Sequence, residues 1–328
     1  MVSNLKFFYT LFINSRLIVV LLSTIFIGNC NAFNQEENSC RHVKLQVLGS
    51  GGPEIDDGLA SSSYLIWVDN KASILIDAGG GSSLNFEKSG GNFNDLKAIL
   101  LTHLHVDHSV ELPVYIKAGY FSNRETFLSV LGPNEGGDFP STTAFVKALF
   151  DDRNKNKLTS VYPYLSDNLY QQSSTDFLIT AESYPYNNKR EDSKVWISNL
   201  TDDLNVEAIQ VNHGKIPAIA WRVNYKKCSI SFSGDMNGTS GNLERLAKNS
   251  DWLVAHNAVP ENAGRIAKFL HMPPSKIGEI ANNAKVKNLV LSHFMNRTNS
   301  KKSQTVQLIK EKYKGNVYLS KDLQIFDL

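Results

Sequence analysis

The sequence predicts an α/β fold in a single domain. Strand-like and helix-like stretches alternate from residue 40 onward, with no repeat and no low-complexity linker between them. The 328 residues are 42% hydrophobic and 20% charged, which fits a globular chain able to bury a large core. Disordered, collagen-like and disulfide-dense classes are excluded. The third observation is a run of metal-capable side chains placed at the end of a buried strand candidate.

Residues 1–32 stand apart from that domain. Lys6 and Arg16 precede the apolar run from Leu17 to Ile27, and Cys30 and Ala32 supply small residues at the −3 and −1 positions of a cleavage site. This reads as an export signal peptide, leaving residues 33–328 as a periplasmic or secreted domain. Two membrane-bound readings stay open. With Phe7 to Phe12 the apolar run extends toward the ~20 residues of an uncleaved anchor. Ile27-Gly28-Asn29-Cys30 partly resembles a lipobox for lipid attachment, although Asn29 sits where a small residue is expected.

The whole chain carries 34 Lys+Arg against 32 Asp+Glu, and without Lys6 and Arg16 the two counts are equal. A protein that grips polyphosphate usually carries a basic surplus, because each neutralised phosphate releases counterions. A nucleic-acid-binding role is therefore weakened. Beyond the signal only Cys40 and Cys228 remain, and they could pair in an oxidising compartment or stay free. Oligomeric state is not legible.

Val43 to Leu48, Ser62 to Val68 and Ala72 to Ile76 are short β-branched or apolar runs bounded by Gly, Asp and Asn, the pattern of strands and their turns. Lys97 to Leu101 is another strand candidate. It runs directly into Thr102-His-Leu-His-Val-Asp-His108. Residues 142–150 read as a helix, and from about 151 to 194 the chain becomes a loop-rich insertion with five tyrosines. Strand signals return at Val206 to Val211, Ala218 to Val223, Ser229 to Ser233 and Leu289 to Ser292. Helix signals return at Leu243 to Lys248 and at Pro274 to Ala284, where a proline at the first turn presets φ.

His103, His105, Asp107 and His108 place four possible ligands within six residues. In an extended loop the i, i+2 spacing projects His103 and His105 to one side, and a turn beginning at Asp107 aims Asp107 and His108 at a second point. Two metals are the natural reading. His213, Asp235 and His293 each follow a strand-like run and complete the coordination of two ions. Nitrogen and oxygen donors without thiolate favour zinc or another borderline divalent ion, and an Asp using both oxygens can bridge. Asp235 is the expected bridge. Gly49-Ser-Gly-Gly-Pro53 and Gly79-Gly-Gly81 lack the following Gly-Lys-Ser/Thr of a phosphate loop, and read as tight turns beside the metal cleft.

Thr102-His-Leu-His-Val-Asp-His108, Asn212-His213-Gly, Ser233-Gly-Asp235 and Leu291-Ser-His293, with Ile74-Leu-Ile-Asp77 upstream, resemble the motifs of the metallo-β-lactamase superfamily. The resemblance covers residues 43–328. It implies a four-layer αββα sandwich with a dinuclear site at one edge: His103, His105 and His213 on one zinc, Asp107, His108 and His293 on the other, Asp235 between them. Asp235 stands where the commonest antibiotic-hydrolysing subclass has Cys, and His105 where the flavodiiron relatives have Glu. The C-terminal third is closer to the ribonuclease Z and arylsulfatase-like branch, through Asp251-Trp-Leu-Val-Ala-His256-Asn and the segment His271 to Ala281. His271 would correspond to that branch's proton-donating histidine, whereas Asn257 replaces a Glu of its relay and leaves the role of His256 open.

The resemblance also implies what is missing. The branch's tRNA-gripping arm is inserted between the motifs matched by His213 and Asp235, and the few residues between them suffice only for two strands and a turn. The expected function is an exported dinuclear zinc hydrolase of small phosphodiesters, with metal-activated hydroxide as nucleophile, Asp107 orienting it and His271 protonating the leaving group. The alternatives are a lactone, thioester or aryl-sulfate hydrolase, or a non-catalytic metal or ligand binder of the same fold.

Overall fold

The computed structural model describes residues 40–122, 124, 126–151, 160–165, 179–184 and 193–328. The expected export signal and much of the expected loop-rich insertion lie outside the described residues. Within the unit His42–Leu328, the first strands are β1 (Val43–Gly49), β2 (Ser63–Val68), β3 (Lys71–Ile76), β4 (Ala98–Leu100), β5 (Leu128–Pro133), β6 (Ile179–Tyr184) and β7 (Trp196–Asn199). They are followed by β8 (Leu204–His213), β9 (Ile216–Tyr225), β10 (Cys228–Phe232), β11 (Trp252–His256), β12 (Asn288–Ser292), β13 (Asn316–Leu319) and β14 (Ile325–Asp327).

The strands form two mixed seven-stranded sheets, in the orders β14-β1-β2-β3-β4-β5-β6 and β13-β12-β11-β10-β9-β8-β7. Central strands are buried on both faces, so they read as continuous apolar runs rather than alternations. One face of each sheet carries helices. Phe86, Leu112, Tyr115, Ile116, Val146 and Phe150, from the helices Ser82–Lys88, Leu112–Tyr120 and Thr142–Phe150, pack on Leu65, Leu75, Ile99 and Val130. Leu243, Leu246, Ile277, Ile280 and Ile309 cover the second sheet in the same way, against Val211, Ala220, Leu253 and Leu289.

The other faces meet each other. Tyr64 of β2 lies 5.5 Å from Phe232 of β10, Trp252 of β11 lies 5.4 Å from Phe326 of β14, and the Trp221 indole N–H donates to the Leu101 carbonyl at 3.1 Å. This is an αββα sandwich. β3, β4 and β5 run parallel, as do β10, β11 and β12. Two antiparallel steps, β10 to β9 and β9 to β8, bring β8 parallel to β10 as well. The carboxyl ends of each set therefore emerge together, where open α/β sheets hold their sites.

The expected strands are present with shifted ends, and β8 and β9 are ten residues each because they pair along their whole length. Between them stands only the turn Gly214-Lys215, Gly214 having φ +65°. Two strands and two tight turns thus occupy the connection to Asp235, close to the expected two strands and a turn. One correction concerns the loop-rich stretch: Ile179–Tyr184 within it is a strand, paired parallel to β5. It is half-covered, as are β7, β13 and β14; these four sheet-edge strands lie outside the expected runs, and so do the buried inner strands β5 and β11. An edge needs little apolar burial, so its sequence carries little strand signal. Cys40 is disulfide-bonded, and so is Cys228. Among the described residues no helix is long and apolar enough to cross a membrane.

Candidate metal centre

Asp77, one residue past β3, organises the first half of the site. Its fully buried carboxylate accepts the Thr102 N–H at 2.7 Å, the Thr102 hydroxyl at 2.9 Å and His108 Nδ1–H at 2.8 Å. The loop leaving β4 is thereby tied to the end of β3. His103 and His105 converge, His103 Nε2 lying 3.0 Å from His105 Nδ1. The expected turn at Asp107 is a short helix, Val106–Ser109, which sends Asp107 and His108 to a second point.

Glycines allow the chain to close in on this loop. A Cβ on Gly79 would lie 2.3 Å from the Asp107 carbonyl, and one on Gly52 would lie 2.8 Å from His293 Cε1. Both glycine-rich runs lie against the cluster, but Gly49–Pro53 is no tight turn: it continues β1 in extended form, with Gly51 bridged to Ser61 and Phe294. Backbone conformation is uncommon here too: Asp77 and His293 both have positive φ, at 56° and 57°.

His213 ends β8, Asp235 follows β10, His256 ends β11 and His293 follows β12. Two groups of donor atoms result, each within 4.8 Å of one another: His103, His105, His213 and Asp235, then His108, Asp235, His256 and His293. Asp107 joins the second, its Oδ2 lying 3.4 Å from His108 Nε2 and 3.2 Å from His293 Nε2. All seven residues expected as ligands are thus gathered at one cleft, and both groups meet at Asp235.

The donor set fits divalent ions. His108 donates Nδ1–H to Asp77, and His213 donates Nδ1–H to the Leu270 carbonyl at 2.9 Å. The Nε2 atom of each is buried with no hydrogen-bond partner. An imidazole anchored through one nitrogen, with the other aimed at a shared point, has the geometry of a metal ligand held by its surroundings.

Electrostatics favours the same protonation states at His103, His105, His213 and both carboxylates. Burial lowers His103 well below its ordinary value, with the charges of His108 and His213 adding to it, and burial likewise lowers His105 and His213. Burial pushes the carboxyls up, but Asp107 is held far below the usual range by the charge of His108 and by the hydrogen bond and charge of His293. Asp235 is held down by His293, by His271 and by a hydrogen bond from His256. Neutral imidazoles and ionised carboxylates are the forms that bind metal. His108 and His293 are raised, because Asp107 and Asp77 act on the first, and Asp235 and Asp107 on the second, more strongly than burial opposes them.

His271 follows the helix Arg265–Leu270 and keeps 12% of its side chain exposed at the rim, with Nδ1 buried, unpartnered and 3.7 Å from Asp235 Oδ2. Burial lowers it to about 4. Asn257 is fully buried and spends its side-chain N–H on the Val259 carbonyl, so no carboxylate stands there.

Three features escaped the sequence reading. Asp235 Oδ1 accepts His256 Nδ1–H at 2.9 Å and lies 3.4 Å from His293 Nε2. Tyr64 contacts the other nitrogen of His256, and the Phe139 ring stands 5.5 Å from His105. For Tyr64 the only available signal was a polar-tipped residue within a buried strand.

A family profile described as Metallo-beta-lactamase superfamily matches residues 56–123, and one described as Beta-lactamase superfamily domain matches residues 152–294. Ribonuclease Z of Picrophilus torridus is 27% identical over 283 residues, 78% of this chain and 87% of that protein. The short form of human tRNase Z superposes with a TM-score of 0.64 at 19% identity, covering 87% of this chain and 98% of that one. The metallo-β-lactamase fold protein YhfI of Bacillus subtilis gives the same TM-score at 16% identity, covering 87% and 99%. Fold and site together define a metal-dependent hydrolase of the αββα class. The two profiles and the ribonuclease Z relatives support a metallo-β-lactamase-fold hydrolase of the ribonuclease Z branch.

Asp77→Ala should cost about 3–5 kcal/mol, the range for stripping one partner from a buried charged pair. Urea unfolding measures it. A variant as stable as its parent would show that Asp77 is not the anchor of the His108 loop.

Proposed function

We propose that this chain is an exported, dinuclear zinc hydrolase of phosphodiester bonds in small substrates. The observation that carries the reading is the pair of donor groups sharing Asp235, with the unpartnered Nδ1 of His271 aimed into the same cleft. The relatives named ribonuclease Z favour phosphodiesters over the lactone, thioester and sulfate alternatives. His103, His105 and His213 would hold one ion, Asp107, His108 and His293 the other, and Asp235 would join them. Divalent ions bound there lower the pKa of water toward neutrality and stabilise negative charge on phosphoryl oxygens.

The remaining chemistry belongs to side chains. Asp107, ionised, is an acceptor that orients the O–H of an attacking water. His271 is neutral at rest, because burial holds it at about 4. The negative charge of a phosphodiester in front of Nδ1 favours its protonated form, which then donates to the departing alkoxide. With Asn257 in place of a carboxylate, His271 does this without an acidic partner from that position.

Two features bear on substrate and location. The two-residue turn between β8 and β9 leaves no arm at the position where the branch grips tRNA, and the mature chain has no basic surplus. The disulfide-bonded state of Cys40 and Cys228 suits an oxidising compartment, as export requires.

Elemental analysis of zinc-replete protein should find two ions per chain, and Asp235→Ala should lose most of the second. One ion or none in the parent would sink the dinuclear assignment. Filter binding at physiological salt should show weak, unselective association with precursor tRNA; efficient 3′ trimming would overturn the small-substrate reading. His271→Ala should keep its zinc and lose roughly 10²–10⁴-fold in turnover on alkyl-leaving diesters. Its deficit should shrink as leaving-group pKa falls toward that of p-nitrophenol, and an equal loss across the series would show that the proton comes from elsewhere.

A further inference from the structure

Tyr64 sits on β2 in the first sheet, far in sequence from every expected ligand, and is fully buried. Its hydroxyl oxygen lies 3.0 Å from His256 Nε2, and His256 Nδ1 lies 2.9 Å from Asp235 Oδ1. His256 itself is 2% exposed, so neither contact is shared with bulk solvent.

The direction of these bonds follows from donor and acceptor chemistry. An ionised carboxylate only accepts, so His256 Nδ1 carries the hydrogen. A neutral imidazole then has an acceptor at Nε2. The Tyr64 hydroxyl is placed to donate to it. The polarity runs in one sense, from Tyr64 O–H to His256 Nε2 and from His256 Nδ1–H to Asp235 Oδ1. Both ring nitrogens of His256 are spent, which sets this histidine apart from His108 and His213, whose Nε2 atoms have no hydrogen-bond partner.

The consequence falls on Asp235. With Oδ1 held by His256, Oδ2 is the oxygen that faces His103, His108 and His213, at 4.0, 3.9 and 3.8 Å from their Nε2 atoms. Oδ2 therefore reaches both donor groups, while Oδ1 keeps one further contact with the second, His293 Nε2 at 3.4 Å. We propose that Tyr64 is a positioning residue: its hydroxyl selects the Nδ1–H tautomer of His256, which reserves Asp235 Oδ2 for the pair of metal ions. The proposal rests on the dinuclear reading but not on the identity of the substrate.

Tyr64→Phe keeps the ring against Phe232 and removes only the hydroxyl. Zinc alone is the probe, competed against a chromophoric chelator on the full chain. The parent should bind two ions, and the variant should hold the second about 10–100-fold more weakly, the usual effect of losing an outer-shell partner. Long-range proton–nitrogen spectra of the zinc-loaded parent should show His256 as the Nδ1–H tautomer, and the variant should lose that uniform state. In a His256→Asn background the asparagine amide donates to Asp235 without help, so adding Tyr64→Phe should change zinc affinity no further. A parent that binds fewer than two ions would overturn the dinuclear reading and this inference with it. A parent with two ions, and a Tyr64→Phe variant that binds both as tightly, would overturn the role of Tyr64 alone. So would an Nε2–H tautomer of His256 in the parent, whatever the variant does.

Discussion

Six imidazoles approach the carboxylate of Asp235 within 4.0 Å, those of His103, His108, His213, His256, His271 and His293. A buried anion so surrounded stays ionised, and the imidazoles cannot all be charged beside one another. The cleft therefore sorts its histidines. His103, His105, His213, His256 and His271 are pushed toward neutrality, while His108 and His293 are held up by their carboxylate neighbours. Divalent charge at that point would resolve the conflict by replacing protons.

The backbone is arranged to permit this density. Parallel strands deliver their carboxyl ends to a common edge in each sheet, and two antiparallel steps bring the His213 strand into line with the Asp235 strand. At that edge the chain turns sharply, with positive φ at Asp77 and His293 and glycines where a Cβ would collide with Asp107 or His293. Strain is tolerated because neighbouring interactions hold these residues firmly, as the three hydrogen bonds to Asp77 illustrate. The short β8–β9 turn belongs to the same economy: the strands that support His213 carry no excursion at their tip.

Much of this was legible in the chain. The run from His103 to His108 is local, and a strand followed by a loop and one helical turn is enough to aim its members at two points. His213, Asp235 and His293 were found because each closes a buried apolar run. The four edge strands were missed because an edge strand buries only part of its surface and so needs no regular apolar pattern. The hydrogen bond from His256 to Asp235 was not legible, since His256 comes from a different strand.

The sequence by itself determined the class of fold and the identity of the metal-capable residues, because both are written in short-range patterns: apolar runs, turn residues and ligand spacing. Tertiary structure alone decided how those residues are shared and oriented. Tyr64 meets His256 across 192 residues of chain and between two sheets. Phe139 reaches His105 from the loop after β5, and the fate of Cys40 and Cys228 depends on the folded chain. Contacts of this kind follow from how two sheets pack, and packing leaves no periodic signature in a single strand.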